Sequence, residues 1–326
     1  MVKALVTGGT GFVGSHIARE LDAQGHSVRV MHRATSRLTA LDGVNYESVI
    51  ATLDDAGALR AACDGVDWVF HVAAVADYWR ADRQRMFAAN VDGTRLLLQA
   101  AREAGVRRVV FTSSAAAVGL RDDRPADESE PFNLPPERFP YGYSKHLAEQ
   151  VVAEAVRDGQ DVVTVNPVVV LGPGDLNLIS GDLILKARRL GPLLPVTSGG
   201  LAVVDVRDVA RWHVAAAEHG RSGERYILGT ANYGYRELFD MLAETLGVLR
   251  PRLTLPDWLP PLLARLIDAA RAAGIVTPID ANQTLLATRN VFFDYRKTWD
   301  ELGAPHIDMR RSLRDTDRWY AENGYR

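Results

Sequence analysis

The amino-acid sequence predicts an α/β protein built on a doubly wound parallel sheet. Through the first two thirds of the 326 residues, short β-branched or apolar runs alternate with stretches of helical periodicity. Several of these runs are continuously apolar, as in strands that are buried on both faces of a sheet. Regular alternation of strands with helices is typical of parallel sheets, because each crossover between parallel strands is a helix.

The elements can be placed in order along the chain. The strands of the first part are predicted over Ala4–Thr7, Ser27–Met31, Trp68–His71, Arg108–Thr112 and Val162–Asn166. The helical patterns between them cover Gly14–Gln24, Asp54–Cys63, Asn90–Ala104 and Tyr141–Arg157. Prolines and glycines then interrupt Pro167–Gly200, where we expect no long regular element. The pattern resumes with a strand, a helix and a strand over Ala202–Val206, Asp208–Glu218 and Tyr226–Leu228.

Composition excludes several classes of function. Lys and Arg number 38 and Asp and Glu 41, so the formal net charge of −3 excludes a bulk electrostatic attraction to nucleic acid or to an anionic membrane. Because Cys63 is the single cysteine, an internal disulfide and a cysteine-based zinc site are excluded, and we predict no metal site. The chain lacks an apolar stretch of membrane-spanning length and a signal peptide, so we expect a cytoplasmic protein.

A glycine-rich turn follows the first predicted strand. Gly9, Gly11 and Gly14 fit the pattern G-x-G-x-x-G, and Gly8, Gly11 and Gly14 fit the alternative G-x-x-G-x-x-G. Glycines there permit a tight turn and let backbone amides approach a pyrophosphate, while the following helix N-terminus adds a partial positive charge. With a strand before and a helix after, this turn predicts a dinucleotide site of the Rossmann type.

The end of the second strand indicates which dinucleotide is bound. An NAD site usually has an acidic residue there that bonds the ribose hydroxyls. This strand instead ends in His32 and Arg33, with Arg37 shortly after. Because an arginine can clamp a 2′-phosphate, we predict that NADP(H) is preferred over NAD(H) and that Arg33 and Arg37 bind it.

From Tyr235 onward the chain is mainly helical, and this part predicts a second, smaller unit. We expect a Rossmann-type NAD(P)-binding domain over residues 1–175 and 202–232. A smaller, mainly helical substrate-binding subdomain is expected over residues 176–201 and 233–326. Ligands of open α/β sheets bind outside the carboxyl ends of the strands, so a cap there would complete a cleft.

A serine, a tyrosine and a lysine form the candidate catalytic group. Ser114 follows the strand Arg108–Thr112, and Tyr141 and Lys145 are four residues apart on the next predicted helix, so they share one helix face. A nearby ammonium lowers the pKa of a phenol, which would let Tyr141 exchange a proton with a carbonyl oxygen or an alcohol. Tyr143 and Ser144 compete for this role, although Tyr143 has no lysine four residues on.

These motifs together resemble the extended short-chain dehydrogenase/reductase family, which includes NAD-dependent epimerases and dehydratases. The resemblance covers essentially the whole chain and rests on Thr7–Gly14, Phe111–Ala115 and Tyr141–Lys145. Supporting matches are His71–Ala74, Asn90–Thr94, Asn166–Pro167 and Val204–Ala210. Within the family the chain is most similar to the branch of dihydroflavonol-4-reductase-like enzymes and hopanoid-associated sugar epimerases, through Gly172–Asp175 and Arg225–Gly229.

The resemblance implies a role for each matching residue. Ser114, Tyr141 and Lys145 would form the catalytic triad, with Lys145 also bonding the nicotinamide ribose, and Asn90 would support a proton relay. The cofactor would contact the glycine turn and the later strand ends, through Thr7, Gly8, Gly9, Gly11, Phe12, Val13, Gly14, Ala73, Ala74, Thr112, Ser113, Pro167 and Val168. One departure is visible, because Thr52, before Leu53, replaces the acidic residue that often bonds the adenine in this family.

The remaining candidates are weaker. Asp77, Tyr78 and Trp79 follow a predicted strand end in a loop over the cleft, where they would contact substrate or anchor the loop. His71 more often packs near a cofactor than acts as a base. Of the two acids Asp205 and Asp208, the second is interpreted as the N-cap of the helix that begins there.

Three functions remain open at this point. The first is an NADPH-dependent carbonyl reductase acting on an apolar or aromatic small molecule, as a monomer or a homodimer. The alternative is a sugar epimerase or dehydratase that retains NAD(P)+, and the third is a nucleotide-sensing regulator on the same fold. The apolar substrate is suggested by Phe132, Leu134, Phe139, Leu183, Trp258, Leu259 and Leu262, although core packing explains several of these equally well.

Overall fold

The computed structural model describes residues 1–325 with the exception of 77–81, 177, 179–180, 276 and 278–279. Its strands are β1 Lys3–Thr7, β2 Ser27–His32, β3 Glu47–Ile50, β4 Trp68–His71, β5 Arg108–Thr112, β6 Val162–Pro167, β7 Val169–Leu171, β8 Gly200–Asp205, β9 Arg225–Leu228, β10 Ala231–Gly234 and β11 Asn290–Val291. Its helices are α1 Phe12–Ala23, α2 Ala56–Cys63, α3 Arg83–Phe87, α4 Gly93–Glu103, α5 Pro140–Arg157, α6 Asp182–Leu190, α7 Val206–His219, α8 Tyr235–Leu246, α9 Leu259–Ala272, α10 Ala281–Leu286, α11 Arg296–Leu302 and α12 Met309–Glu322. A π-helical turn, Ala88–Asp92, joins α3 to α4.

The main sheet has seven parallel strands in the order β3-β2-β1-β4-β5-β6-β9. Strand β1 lies between β2 and β4, and Thr7 lies opposite both Met31 and His71. The chain runs outward from β1 to β3 and then crosses back to β4, so the strand order reverses between β1 and β4. Ligands of doubly wound sheets bind at such a reversal point. The predicted α/β fold class is confirmed.

Helices cover both faces of the main sheet, and β1 shows how the sequence divides between them. Ala4 and Val6 belong to the core cluster that contains Trp212 and the buried face of α1. Leu5 points to the other side and belongs to the cluster beneath α2, α4 and α5. Because successive side chains of a strand alternate between faces, a continuously apolar strand is buried on both sides.

Strand β3 was not among the predicted strands. Its side chains are mostly exposed, since it lies at the edge of the sheet and only Val49 is partly covered. An edge strand of this kind lacks the apolar run by which the other strands were found.

The C-terminal part adds a smaller sheet and a third core. Strand β8 pairs with β7 and β11 in parallel and with β10 in antiparallel orientation. Leu238, Leu242 and Leu313 form the centre of the core cluster there, together with Ile184. The part after Tyr235 is mainly helical, as predicted, whereas the proposed division into domains stays a prediction.

Two expectations of local structure were wrong. Helix α6, nine residues long, lies within the stretch where we expected no long element, because its residues fall between Gly181 and Gly191 and include neither proline nor glycine. Helix α7 is capped by Asp205, which accepts a hydrogen bond from the Arg207 amide at 2.8 Å. Asp208 is buried inside α7 and accepts from the amides of the segment before α12 instead.

In the part of the chain that the structure describes, no helix is both long enough and apolar enough to cross a membrane.

Candidate active site

The carboxyl ends of β1, β4, β5 and β6 lie along one edge of the main sheet. Thr7 lies opposite His71, and His71 lies opposite Phe111. Thr112, one residue further along β5, lies opposite Val165 of β6. The segments predicted to bind cofactor and to carry catalysis therefore end side by side.

The turn after β1 has the backbone shape that a pyrophosphate-binding loop requires. Gly8 has a φ of +66°, and a Cβ there would lie 2.9 Å from the backbone of Ala73. A Cβ on Gly14 would lie 2.4 Å from the carbonyl oxygen of Gly8, so only glycine lets α1 pack on its own entry turn. The N-cap of α1 is Gly11, and no side chain caps this helix end. The first amides of α1 can therefore meet an anion, and the cradle fits a dinucleotide pyrophosphate.

A directed chain of hydrogen bonds links this turn to the π-helical turn. Thr94 donates its hydroxyl hydrogen to the carbonyl oxygen of Asn90 at 2.7 Å, so its oxygen accepts from His71 Nε2 at 3.0 Å. His71 Nδ1 then accepts from the Thr7 hydroxyl at 3.0 Å. Burial lowers the pKa of His71 to about 3, so the ring is uncharged at neutral pH. His71 is thus a structural link in this chain, as the packing interpretation expected.

The predicted adenine and ribose contacts lie at the ends of β2 and β3. Arg33 and Arg37 are exposed after β2, and neither forms an ion pair with a carboxylate of the described residues. Thr52 is exposed and its hydroxyl bonds the Asp54 side chain. Leu53 packs on α4, since a Cβ on Gly93 would lie 2.8 Å from the Leu53 Cβ. Among the described residues, this end of the edge therefore carries two cations without an ion-pair partner and no carboxylate at the end of β2.

Tyr141 and Lys145 lie one turn apart on α5 and are buried, with 7% and 3% of their surface exposed. Lys145 Nζ donates to the carbonyl oxygen of Thr112 at 2.8 Å and lies 5.1 Å from the centroid of the Phe111 ring. Burial lowers the pKa of Lys145 to about 8, and the negative charge of Glu149 opposes this shift. The ammonium is therefore held at the end of β5, next to the predicted catalytic tyrosine.

The first turn of α5 makes close contact with the segment that follows β5. A Cβ on Gly142 would lie 2.3 Å from the carbonyl oxygen of Ala116, an approach that only glycine permits. Ser114 is buried in the same segment, and its Oγ accepts from the Ala116 amide at 3.2 Å. The glycine between Tyr141 and Tyr143 thus brings the helix turn that carries Tyr141 against the segment that carries Ser114.

Asn90 supports the catalytic turn from the π-helical turn. Its Oδ1 accepts from the Val75 amide at 2.8 Å, and its Nδ2 donates to the Val75 carbonyl and, at 3.0 Å, to Ser144 Oγ. Ser144 in turn donates to the carbonyl oxygen of Tyr141 at 2.7 Å. The sequence left Ser144 as a competitor for the catalytic role. In the structure its hydroxyl bonds the backbone of Tyr141 and so supports this turn of α5. The proton-relay role of Asn90 stays a prediction.

Tyr143, the other competitor, lies elsewhere. Its ring packs against those of Phe87, Phe132 and His146 at centroid distances of 5.8 to 6.3 Å. These four residues form an aromatic cluster. Phe132 is one of the residues predicted to contact an apolar substrate.

The nicotinamide side of the predicted site lies at the end of β6. Pro167 ends this strand, and Val168 is buried with its amide bonded to the Leu228 carbonyl at 3.1 Å. Ala73 and Ala74 follow β4 two strands away, with Ala73 against Gly8. The predicted cofactor contacts therefore line up along the strand ends.

One largely buried residue of this region was missed by sequence reasoning. Glu149 lies one turn beyond Lys145 on α5 and accepts hydrogen bonds from Ser113 and Asn166. Its spacing continues the stripe of Tyr141 and Lys145, and that i, i+4, i+8 pattern was a signal that could have found it.

The predicted substrate loop is the remaining part of the candidate site. Asp77, Tyr78 and Trp79 lie outside the described residues. Their contact with substrate therefore stays a prediction.

Comparison with known proteins assigns the family. Residues 4–229 match the model of the NAD dependent epimerase/dehydratase family, and the chain belongs to it. Membership indicates an enzyme of the NAD(P)-dependent oxidoreductase type, as the fold and the glycine turn suggest.

The relatives include reductases, a demethylase and an epimerase. The chain is 37% identical to a Synechocystis protein provisionally named dihydroflavonol 4-reductase, over 98% of this chain and 95% of the relative. It is 34% identical to sterol demethylase protein B of Methylococcus capsulatus, over 99% of each. Its structure is similar to a nucleoside-diphosphate-sugar epimerase from Pseudomonas aeruginosa, with a TM-score of 0.82, 27% identity and 99% of both chains covered.

Proposed function

We propose that this protein reduces a carbonyl group to an alcohol with NADPH, reversibly, with Tyr141 as the general acid. The observation that carries the proposal is the buried pair on α5, in which Lys145 is fixed to the end of β5 by its bond to the Thr112 carbonyl. A tyrosine beside a buried ammonium can release its proton to a substrate oxygen at neutral pH.

Each residue of the site has a separate role in the proposed reaction. When bound, NADPH would supply the hydride for the carbonyl carbon. Tyr141 donates a proton to the carbonyl oxygen, and Ser114 donates a hydrogen bond that orients the same oxygen. Lys145 stabilises the phenolate that remains and binds the nicotinamide ribose. Asn90 holds this turn of α5 through Ser144.

A preference for NADPH is supported by the end of β2. Arg33 and Arg37 are exposed there without an ion-pair partner among the described residues, and the strand ends without a carboxylate. A 2′-phosphate offers these guanidinium groups a charge-assisted hydrogen bond that NAD lacks.

An apolar or aromatic carbonyl compound is the proposed substrate class. The names of two relatives refer to a dihydroflavonol, which is an aromatic ketone, and to a sterol, which is a largely apolar molecule. Helix α9 also lies close to the catalytic helix, because Arg138, just before α5, donates to Asp268 of α9 at 2.9 Å. Two side chains predicted to contact an apolar substrate, Trp258 and Leu262, lie at and near the start of α9 and are exposed.

A sugar epimerase or dehydratase is the second candidate. It is favoured by the similarity to the Pseudomonas epimerase over nearly the whole of both chains. Such an enzyme regenerates its cofactor in each cycle and so consumes no NADPH overall.

The two candidates separate in one assay. Purified protein is incubated with NADPH or NADH and a panel of aromatic ketones, aldehydes and nucleoside-diphosphate sugars, and absorbance at 340 nm is followed. We expect stoichiometric loss of NADPH with a carbonyl compound. Conversion of a nucleotide sugar without loss of absorbance would instead establish the epimerase or dehydratase reaction.

A further inference from the structure

Glu149 is a largely buried carboxylate that the proposed reaction does not use. It lies one turn after Lys145 on α5, with 9% of its side chain exposed. Its Oε1 accepts from Ser113 Oγ at 2.5 Å and from Asn166 Nδ2 at 2.6 Å. A carboxylate is rarely buried without hydrogen-bond partners or a cation, so both contacts help to explain its position.

The two donors lie at the ends of neighbouring strands, Ser113 just after β5 and Asn166 within β6. Ser113 directly precedes Ser114 at the end of β5. Asn166, near the end of β6, donates from the same Nδ2 to the carbonyl oxygen of Ser114 at 3.0 Å. Glu149 therefore links α5 to the ends of β5 and β6 at the residue whose hydroxyl is proposed to orient the substrate.

Two basic residues neighbour this carboxylate, and they differ in how deeply they are buried. Arg225 of β9 lies beside it, with Nη1 at 3.5 Å from Oε2. Lys145 lies one turn earlier on the same helix and is more deeply buried. Of the neighbouring imidazoles, His71 on β4 is uncharged, and burial lowers the pKa of His146 on α5. The negative charge of Glu149, one helix turn away, acts against the lowering of the Lys145 pKa by burial.

We propose that Glu149 is a positioning residue, whose carboxylate fixes the segment of Ser114 against α5 and keeps Lys145 in its cationic form. The inference rests on the proposed roles of Ser114, Tyr141 and Lys145. Glu149 touches neither substrate nor cofactor in this scheme and acts through its neighbours.

The variant Glu149→Gln separates charge from shape. Glutamine has the same length and keeps an oxygen that accepts from Ser113 and Asn166, but it carries no charge. Without that charge, burial lowers the pKa of Lys145 further below about 8. Since the Lys145 ammonium is lost as pH rises, the alkaline limb of kcat/KM moves to lower pH, by about one pH unit.

The matched control is Glu154→Gln on the same helix. Glu154 is half-exposed and pairs with Arg95 at the surface, so its pH profile should superimpose on that of the parent protein. Glu149→Asp retains the charge with a shorter side chain and should keep the alkaline limb while lowering kcat. Thermal unfolding of each variant verifies that it is folded.

Titration of Lys145 itself provides a test without turnover. The Cε resonance of 13C-labelled Lys145, assigned with Lys145→Arg, is followed against pH by NMR in parent, Glu149→Gln and Glu154→Gln proteins. A lower Lys145 pKa in Glu149→Gln alone supports the proposal, whether or not a carbonyl substrate is found. An unchanged Lys145 pKa overturns it, and a failed search for turnover overturns only the proposed reaction.

Discussion

The carboxyl edge of the main sheet and helix α9 differ in which side chains they bury: polar groups are buried at the edge, and apolar groups are exposed on α9. At the sheet edge, polar groups such as Thr7, Asn90 and Lys145 are buried, and each has hydrogen-bond partners within the chain. On α9 and just before it, Leu262, Leu266 and Trp258 are exposed, the indole by 65%. Folding therefore gives these three polar groups hydrogen-bond partners, whereas it leaves apolar surface of α9 uncovered.

The two regions differ in how strictly the fold determines the geometry of their side chains. Buried polar groups must find partners, so their geometry is determined by the fold before any ligand arrives. Apolar surface that stays exposed has no such requirement and can accept ligands of different shape. Under the proposed function, the sheet edge would carry the chemistry and the surroundings of α9 would select the substrate.

The largest effect is expected from Tyr141→Phe, which tests the sheet edge directly. Removing the hydroxyl abolishes proton transfer while the ring still packs, so kcat should fall by about 10²–10⁴-fold with unchanged thermal stability. The matched control is Tyr143→Phe, whose ring belongs to the aromatic cluster with Phe132 and His146 and should keep activity. Equal activity in the two variants would remove Tyr141 from the mechanism.

The next prediction compares two tryptophans, one buried in the core and one exposed just before α9. Trp212 of α7 is fully buried and its Nε1 donates to the Gly303 carbonyl at 2.7 Å, so Trp212→Ala should cost about 3–5 kcal/mol of unfolding free energy. Trp258 is largely exposed, and Trp258→Ala should change that free energy by less than about 0.5 kcal/mol. Urea unfolding of both variants measures the difference. A large loss in Trp258→Ala would contradict the description of an uncovered surface.

A smaller effect is expected at the ribose end of the sheet edge. Arg33→Ala should weaken NADPH binding about 10–100-fold and leave NADH binding nearly unchanged, because one charge-assisted hydrogen bond to the 2′-phosphate is lost. Fluorescence titration with both cofactors measures this. The control is Arg102→Ala, an exposed arginine at the end of α4. An equal loss of affinity for NADPH and NADH would show that Arg33 does not bind the 2′-phosphate.

Much of the fold and part of the site could be predicted from the sequence. The apolar strands and the glycine turn are local patterns, and their positions along the chain determine that they end at one edge of the sheet. Edge strand β3 was missed because it is mostly exposed, and α6 because the surrounding prolines and glycines obscured it. The choice between Asp205 and Asp208 as helix cap was wrong because both residue types suit that position.

The alternation of strands and helices, the glycine turn and the spacing of Tyr141 and Lys145 follow from the sequence alone, because each depends on residues close together in the chain. How the polar groups meet follows from the packing of these elements. Thr7 bonds His71 across 64 residues, and Ser144 bonds Asn90 across 54. No local pattern specifies such pairs, since they exist only when separate strands and helices pack and each buried group must find a partner.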